Sequence, residues 1–179
     1  MSKNVLIIST SLRSGSNSDA LAKAFAEGAR SAGNNVEEIS LKGKSIAFCR
    51  GCLACQELGR CVINDDANAI VEKMLHADVI AFATPIYYYE MSGQLKTLLD
   101  RANWLFPTDY AFREAYFLSS ATEDEPYTPE RAEHGFEGWI ECFERCRIAG
   151  TVFAGGVTEP GEIKGHPALE KARAMGAQV

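Results

Sequence analysis

The chain predicts an α/β fold, an open doubly wound parallel sheet with helices on both faces. Short continuous apolar runs alternate with longer helix-patterned segments five times over, and buried parallel strands carry apolar residues on both faces. Polar, glycine-bearing or aromatic loops follow the apolar runs. In such a sheet the ligand sits beyond the carboxyl ends of the strands.

Val5 to Ser9 is the first strand, apolar on both faces. Leu21, Ala24, Phe25 and Ala29 make a helical stripe over Ser18 to Ala32, and Gly33 ends it. Asn35 to Leu41 is a more polar strand suited to a sheet edge. Asp65 or Asp66 then caps a helix reaching His76, with Ile70, Met74 and Leu75 on its inner face. Val79 to Ala83 is the third strand, and Thr84-Pro85 is expected to stop it. Leu95, Leu98, Leu99 and Ala102 mark a helix from Ser92 to Trp104. Ala115 to Ser120 is the fourth strand, and Glu123 to Arg131 reads as an acidic, proline-punctuated loop. Phe136 to Arg147 reads as a helix, Thr151 to Ala154 as the last strand and Leu169 to Ala177 as a final helix.

The 179 residues form one expected domain, 1–179, with a cysteine loop at 45–64 inserted after strand 2. A net charge of −6 argues against nucleic acid and anionic membrane as partners. Nothing in the chain has the length of a secretory or membrane-spanning segment, so a cytoplasmic location is expected.

Three strand-end loops carry the chemistry. The first, Ser9 to Ser18, holds five serines, Thr10 and Asn17, with Gly15 for a tight turn and Arg13 as its one full charge. Successive N–H groups at a helix start suit an anion, and Arg13 suits a phosphate monoester; a generously capped helix start is the plainer reading. The loop has neither G-x-G-x-x-G nor G-x₄-G-K-[ST]. The second loop runs Thr84-Pro85-Ile86-Tyr87-Tyr88-Tyr89-Glu90. Three successive tyrosines cannot all be core, because alternate side chains face opposite ways; they suit a stacked aromatic ligand or a subunit contact. The third, Ser119-Ser120-Ala121-Thr122, is small and polar and offers an edge for a flat ring.

Four of the six cysteines, Cys49, Cys52, Cys55 and Cys61, are spaced C-x₂-C-x₂-C-x₅-C. Iron–sulfur ligation, unligated thiols, zinc and a disulfide all remain open to this pattern. Cys142 and Cys146, four apart on the predicted helix, read as core packing.

Ser11 to Ser18, the cysteine motif running into Cys61-Val62-Ile63-Asn64-Asp65-Asp66, and Thr84-Pro85-Ile86-Tyr87 through Gln94-Leu95-Lys96 to Asp100-Arg101 together resemble the flavodoxin-like NAD(P)H-dependent FMN reductases, and among them the iron–sulfur flavoproteins. The resemblance implies a five-stranded sheet of order 2-1-3-4-5 and non-covalently bound FMN. It implies Ser11, Arg13, Ser16, Asn17 and Ser18 around the phosphate. Pro85, Ile86, Tyr87 and Tyr88 would lie along the isoalloxazine, with Ser119, Ser120 and Ala121 at its pyrimidine edge. A [4Fe–4S] cluster on Cys49, Cys52, Cys55 and Cys61 is part of the same resemblance, as is a homodimer or homotetramer. The implied activity is an FMN-dependent oxidoreductase drawing electrons from NAD(P)H or a ferredoxin-like carrier. Its acceptor would be a quinone, a nitro or azo compound, free flavin or a redox protein. The chemistry is the cofactor's, so no side chain is assigned as catalytic. The rival readings are a non-catalytic electron-transfer protein and a thiol or metal redox sensor on the same fold.

Overall fold

The computed structural model describes residues 2–179. Five parallel strands, β1 (Asn4–Ser9), β2 (Asn35–Ser40), β3 (Val79–Tyr87), β5 (Glu114–Ser120) and β6 (Arg147–Ala154), lie in the order β2-β1-β3-β5-β6. This is the expected flavodoxin-like arrangement. One element is added to it, a two-residue strand β4 (Glu90–Met91) antiparallel to the end of β3.

Alternation along each strand builds two cores. Leu6, Ile8, Ile80, Phe82 and Phe117 face one side, under α3 (Asp66–His76), α4 (Gly93–Arg101) and α5 (Glu130–Ile140). Val5, Ile7, Ala81, Ala83 and Leu118 face the other, under α1 (Asn17–Ser31) and α6 (Pro167–Gly176). The polar run that marked β2 as an edge places it at one end of the sheet. Helices α1 and α6 cross at glycines: a Cβ at Gly28 would overlap the Arg173 carbonyl, and one at Gly176 the Phe25 carbonyl. Ordinary residues would hold the two helices apart.

Three boundaries differ from expectation. Strand β3 runs through Pro85 to Tyr87 rather than stopping at Thr84-Pro85. Its pairing with β1 ends at Ala83, so Pro85 has only β5 beside it and no ladder bond is lost. Helix α5 begins at Glu130, inside the expected acidic loop, where Glu130 and Glu133 favour a helix N-terminus. It ends at Ile140, well before Arg147, because Phe143 and Cys146 are reached by successive i→i−3 turns and Arg147 already bonds Arg113. Cys142 and Cys146 therefore lie past the helix. Cys142 is exposed, while Cys146 is partly buried and its thiol is pushed up to about 11 by that burial.

Candidate functional site

At the carboxyl edge of the sheet the three loops meet in one cleft. Ser11, Arg13, Ser16, Asn17 and Ser18 line it from the first loop, Pro85, Ile86 and Tyr87 from the second, and Ser120 and Ala121 from the third. Two expected residues are not on its wall. Tyr88 points away at the tip of the β3–β4 turn and is 98% exposed. Ser119 is fully buried, and strand alternation sets it with Phe117 on the opposite face from Ser120. Its hydroxyl has no partner.

The first loop is built to present donors. Ser16 caps α1, its hydroxyl accepting from the Asp19 amide at 3.1 Å. Gly15 takes φ +66°, which turns the chain into the helix. The amides of Ser14, Gly15 and Ser16 find no acceptor among the described residues, and neither do those of Asn17 and Ser18 at the start of α1. An acceptor with several oxygens fits there, and the fit is to the chain's own unpaired donors. Arg13 spans the mouth, donating to the Thr158 carbonyl at 2.8 Å and to Glu159 at 3.0 Å.

A buried hydroxyl chain ties the first two loops together. Thr10 donates to the Ala83 carbonyl at 3.1 Å and lies 3.0 Å from Ser92 Oγ. Thr84 donates to the same Ser92 oxygen at 3.1 Å, and Ser92 caps α4. All three side chains are fully buried, so the ends of β1 and β3 are set relative to α4 by satisfied polar contacts.

The sequence reading missed the fourth wall. Val157, Thr158 and Pro160, beside Thr122 of the third loop, complete the cleft, and the segment after β6 is anchored by Asn17. That side chain donates to the Glu159 carbonyl at 3.0 Å and accepts from the Gly161 and Ile163 amides at 3.2 and 3.3 Å. Asn17 thus faces the cleft but spends its polar atoms holding the wall. At Gly155 a Cβ would lie 2.6 Å from the Asp124 Cα, so only glycine lets these two loops touch. The signal was available: Gly155-Gly156-Val157-Thr158 follows the last strand at the same sheet edge. A second cation was missed too, since Lys42, just after β2, donates to the Ser14 hydroxyl. Beneath the loop Ser9 donates to Asp19. Burial pushes the Asp19 carboxyl up, against the opposing pull of the Ser16 hydrogen bond, Lys23 and Lys42.

The family model for NADPH-dependent FMN reductases matches residues 3–123, which include all three of these loops. The chain belongs to that family. An iron–sulfur flavoprotein of Methanosarcina thermophila is 36% identical over 106 residues, covering 59% of this chain and 56% of that protein. One from Archaeoglobus fulgidus is 35% identical over 102 residues, covering 57% and 50%. The chain thus spans about half the length of the curated relatives it matches. Among solved structures, an NAD(P)H:quinone oxidoreductase from Methanothermobacter marburgensis superposes with TM-score 0.75 at 22% identity, over 99% of this chain and 97% of that one. The Trp repressor binding protein of Bacillus subtilis gives TM-score 0.69 at 27% identity, over 97% and 98%.

The cysteine loop does not form the ligand set its spacing suggests. Among the described residues no group of three or more Cys, His, Asp or Glu side chains is placed to hold a metal ion. Cys49 and Cys52 are exposed, Cys55 is buried on the one-turn helix α2 (Ala54–Leu58), and Cys61 is half-buried near Arg101. A left-handed Leu53 (φ 57°) precedes α2, on which Cys55 is buried while Cys52, just before it, is exposed. The four thiols as arranged do not fit a cluster.

What is fixed is the base of that loop. Arg101, with its side chain fully buried, grips both Asp65 oxygens at 2.6 and 2.8 Å and the carbonyls of Ala47 and Ile63 at 2.7 and 3.1 Å. Burial pushes the Asp65 carboxyl up, but the Arg101 guanidinium and the amides of Ala47 and Ala67 outweigh it and hold it below the usual range.

Proposed function

We propose that this cleft binds FMN and that the chain is an FMN-dependent oxidoreductase, drawing electrons from NAD(P)H or a reduced carrier. It passes them to a small acceptor such as a quinone, a nitro or azo compound, free flavin or a redox protein. The observation that carries the reading is the row of unpaired amides at Ser14, Gly15 and Ser16, opening onto the start of α1 inside a cleft walled by Pro85, Ile86, Tyr87, Ser120 and Ala121. Family membership supports the same cofactor.

In this reading the amides and the hydroxyls of Ser11, Ser16 and Ser18 receive the phosphate, and Arg13 exchanges Glu159 for it. Pro85, Ile86 and Tyr87 give the ring an apolar face that excludes water, while Ser120 and Ala121 meet its polar edge. Bound FMN supplies the hydride and electron chemistry. The protein orients the ring, and no side chain acts as nucleophile. The exposed apolar side chains Leu12, Phe48, Leu53, Leu58 and Val62 support assembly as a homodimer or homotetramer.

The test separates phosphate from ring. Arg13→Ala should weaken FMN binding about 10- to 100-fold through loss of a charge-assisted contact, while riboflavin, which lacks the phosphate, binds the variant and the parent alike. Equal FMN affinity in the two proteins would sink the phosphate assignment. NADPH oxidation with a quinone no faster than that of free FMN would sink the enzyme.

A further inference from the structure

The turn after β6 that forms the fourth wall is fixed through its backbone. The Glu159 carbonyl accepts from the Asn17 side chain at 3.0 Å, and the Glu159 amide donates to the Glu162 carboxylate at 2.9 Å. The same carboxylate oxygen accepts from the Thr158 amide at 2.7 Å. Pro160 reaches over the first loop, its Cβ 3.9 Å from the place a Cβ on Gly15 would take. Residue 159 is therefore held at both its amide and its carbonyl, between two residues that line the cleft, Thr158 and Pro160. Its side chain starts from a set position at the rim.

From there the Glu159 carboxylate takes the one cation of the first loop. Arg13 donates to it at 3.0 Å through one terminal nitrogen and to the Thr158 carbonyl at 2.8 Å through the other. Both arms of the guanidinium thus point at the wall. The surrounding charges are mixed rather than uniformly positive. Lys42 donates to Ser14 on the loop, and Asp19 lies beneath it. Glu162 adds a second carboxylate beside Arg13; the Thr158 and Glu159 amides, and then Arg13 itself, hold it below the usual carboxylate range. A loop that presents unpaired amides to an anion keeps its arginine paired with a carboxylate of its own.

We infer that Glu159 is an internal competitor for Arg13, an anion built into the chain that lowers the affinity of the cleft for the phosphate of FMN. The inference rests on the reading of this cleft as an FMN site. A guanidinium has one planar fork, so a phosphate that engages both arms must displace Glu159 and Thr158. Ligand affinity falls by the fraction of time the binding group is free. The two side chains are 48% and 70% exposed, and an exposed ion pair is weak. Glu159 therefore tunes affinity by a small factor and does not shut the site. Riboflavin has no phosphate and is indifferent to the pair.

Glu159→Gln tests this, because the residue is exposed and its structural bonds are made by its backbone. The variant should bind FMN about two- to fivefold more tightly than the parent in a fluorescence titration. Riboflavin should bind the two alike. The gain should shrink between about 0.01 M and about 1 M salt, as the screening length falls from about 30 Å to about 3 Å; a change in the shape of the wall would not follow salt. In an Arg13→Ala background most of the gain should vanish. Equal or weaker FMN binding by Glu159→Gln overturns the proposal. So does a gain shared by riboflavin, or one that survives intact without Arg13, which would be plain repulsion of the phosphate. No FMN binding by parent or variant is a different result: it defeats the flavin reading, and the role of Glu159 with it.

Discussion

The first loop, residues 9–18, and the cysteine loop, residues 45–64, sit at the same end of the sheet and are fixed in contrasting ways. The first is short and held at both its ends: Thr10, Ser11, Ser16, Asn17 and Ser18 are all buried, and their side-chain polar atoms have protein partners. The second is long and held at its base, where Arg101 binds Asp65 and two carbonyls, while Cys49 and Cys52 lie in solvent. A strand followed at once by a helix leaves its loop little freedom. A loop that wanders between β2 and α3 takes its shape from whatever grips it. Position is inherited from the sheet in one case and imposed by a single side chain in the other.

The sharpest way to break this contrast is at Arg101. Arg101→Met strands Asp65 without its counter-charge and should lower stability by about 3–5 kcal/mol, read from denaturant unfolding. An unchanged midpoint would mean that the loop has other anchors. The pH dependence has a definite sign. The Asp65 carboxyl is depressed below its ordinary 3.8 in the folded protein, so its contribution is complete above that value. It is lost as pH falls through the depressed one. The gap between the parent and Arg101→Met should therefore close in acid.

Asn17 probes the other region with a smaller expected effect. Asn17→Ala removes the bonds that hold residues 159–163 and should cost about 1–3 kcal/mol. Hydrogen exchange at the Gly161 and Ile163 amides should accelerate well beyond that at β1. Uniform acceleration would instead indicate a general loss of stability. The smallest effect belongs to the exposed thiols. Cys49→Ser and Cys52→Ser should each change stability by no more than about 0.5 kcal/mol. Stoichiometric iron in anaerobically purified protein, lost in Cys52→Ser, would erase the contrast, because those thiols would then be as firmly placed as the first loop.

Much of this was legible in the sequence for physical reasons. Val5 to Ile8 and Val79 to Ala83 announce buried parallel strands because every residue is apolar, and the polar β2 announces an edge. The strand-end rule then brings Ser11 to Ser18, Pro85 to Tyr87, and Ser120 and Ala121 to one place. What escaped depended on contacts distant in the chain. Helix α5 was misplaced because Phe136, Ile140 and Phe143 keep helical spacing past the point where the backbone leaves the helix. Tyr88 and Ser119 share a loop or strand with cleft residues but sit at a turn tip and on the reverse face, which only backbone geometry decides. The cysteine spacing suggested convergence, but along the loop Cys49 and Cys52 end in solvent and Cys55 in the interior, a difference the spacing does not carry.

Helix α1 is gripped near its start by Asn17, which binds residues 159–163, and further along by α6 at the Gly28–Gly176 crossing. Those partners lie 142–146 residues downstream of Asn17. During synthesis, then, β1 and the first loop emerge early, but the cleft they begin has no fourth wall until almost the whole chain has left the ribosome. A nascent chain paused before β6 would carry the first loop without the residues that close over it. Closure of the cleft is thereby timed as a late event, after the sheet is complete.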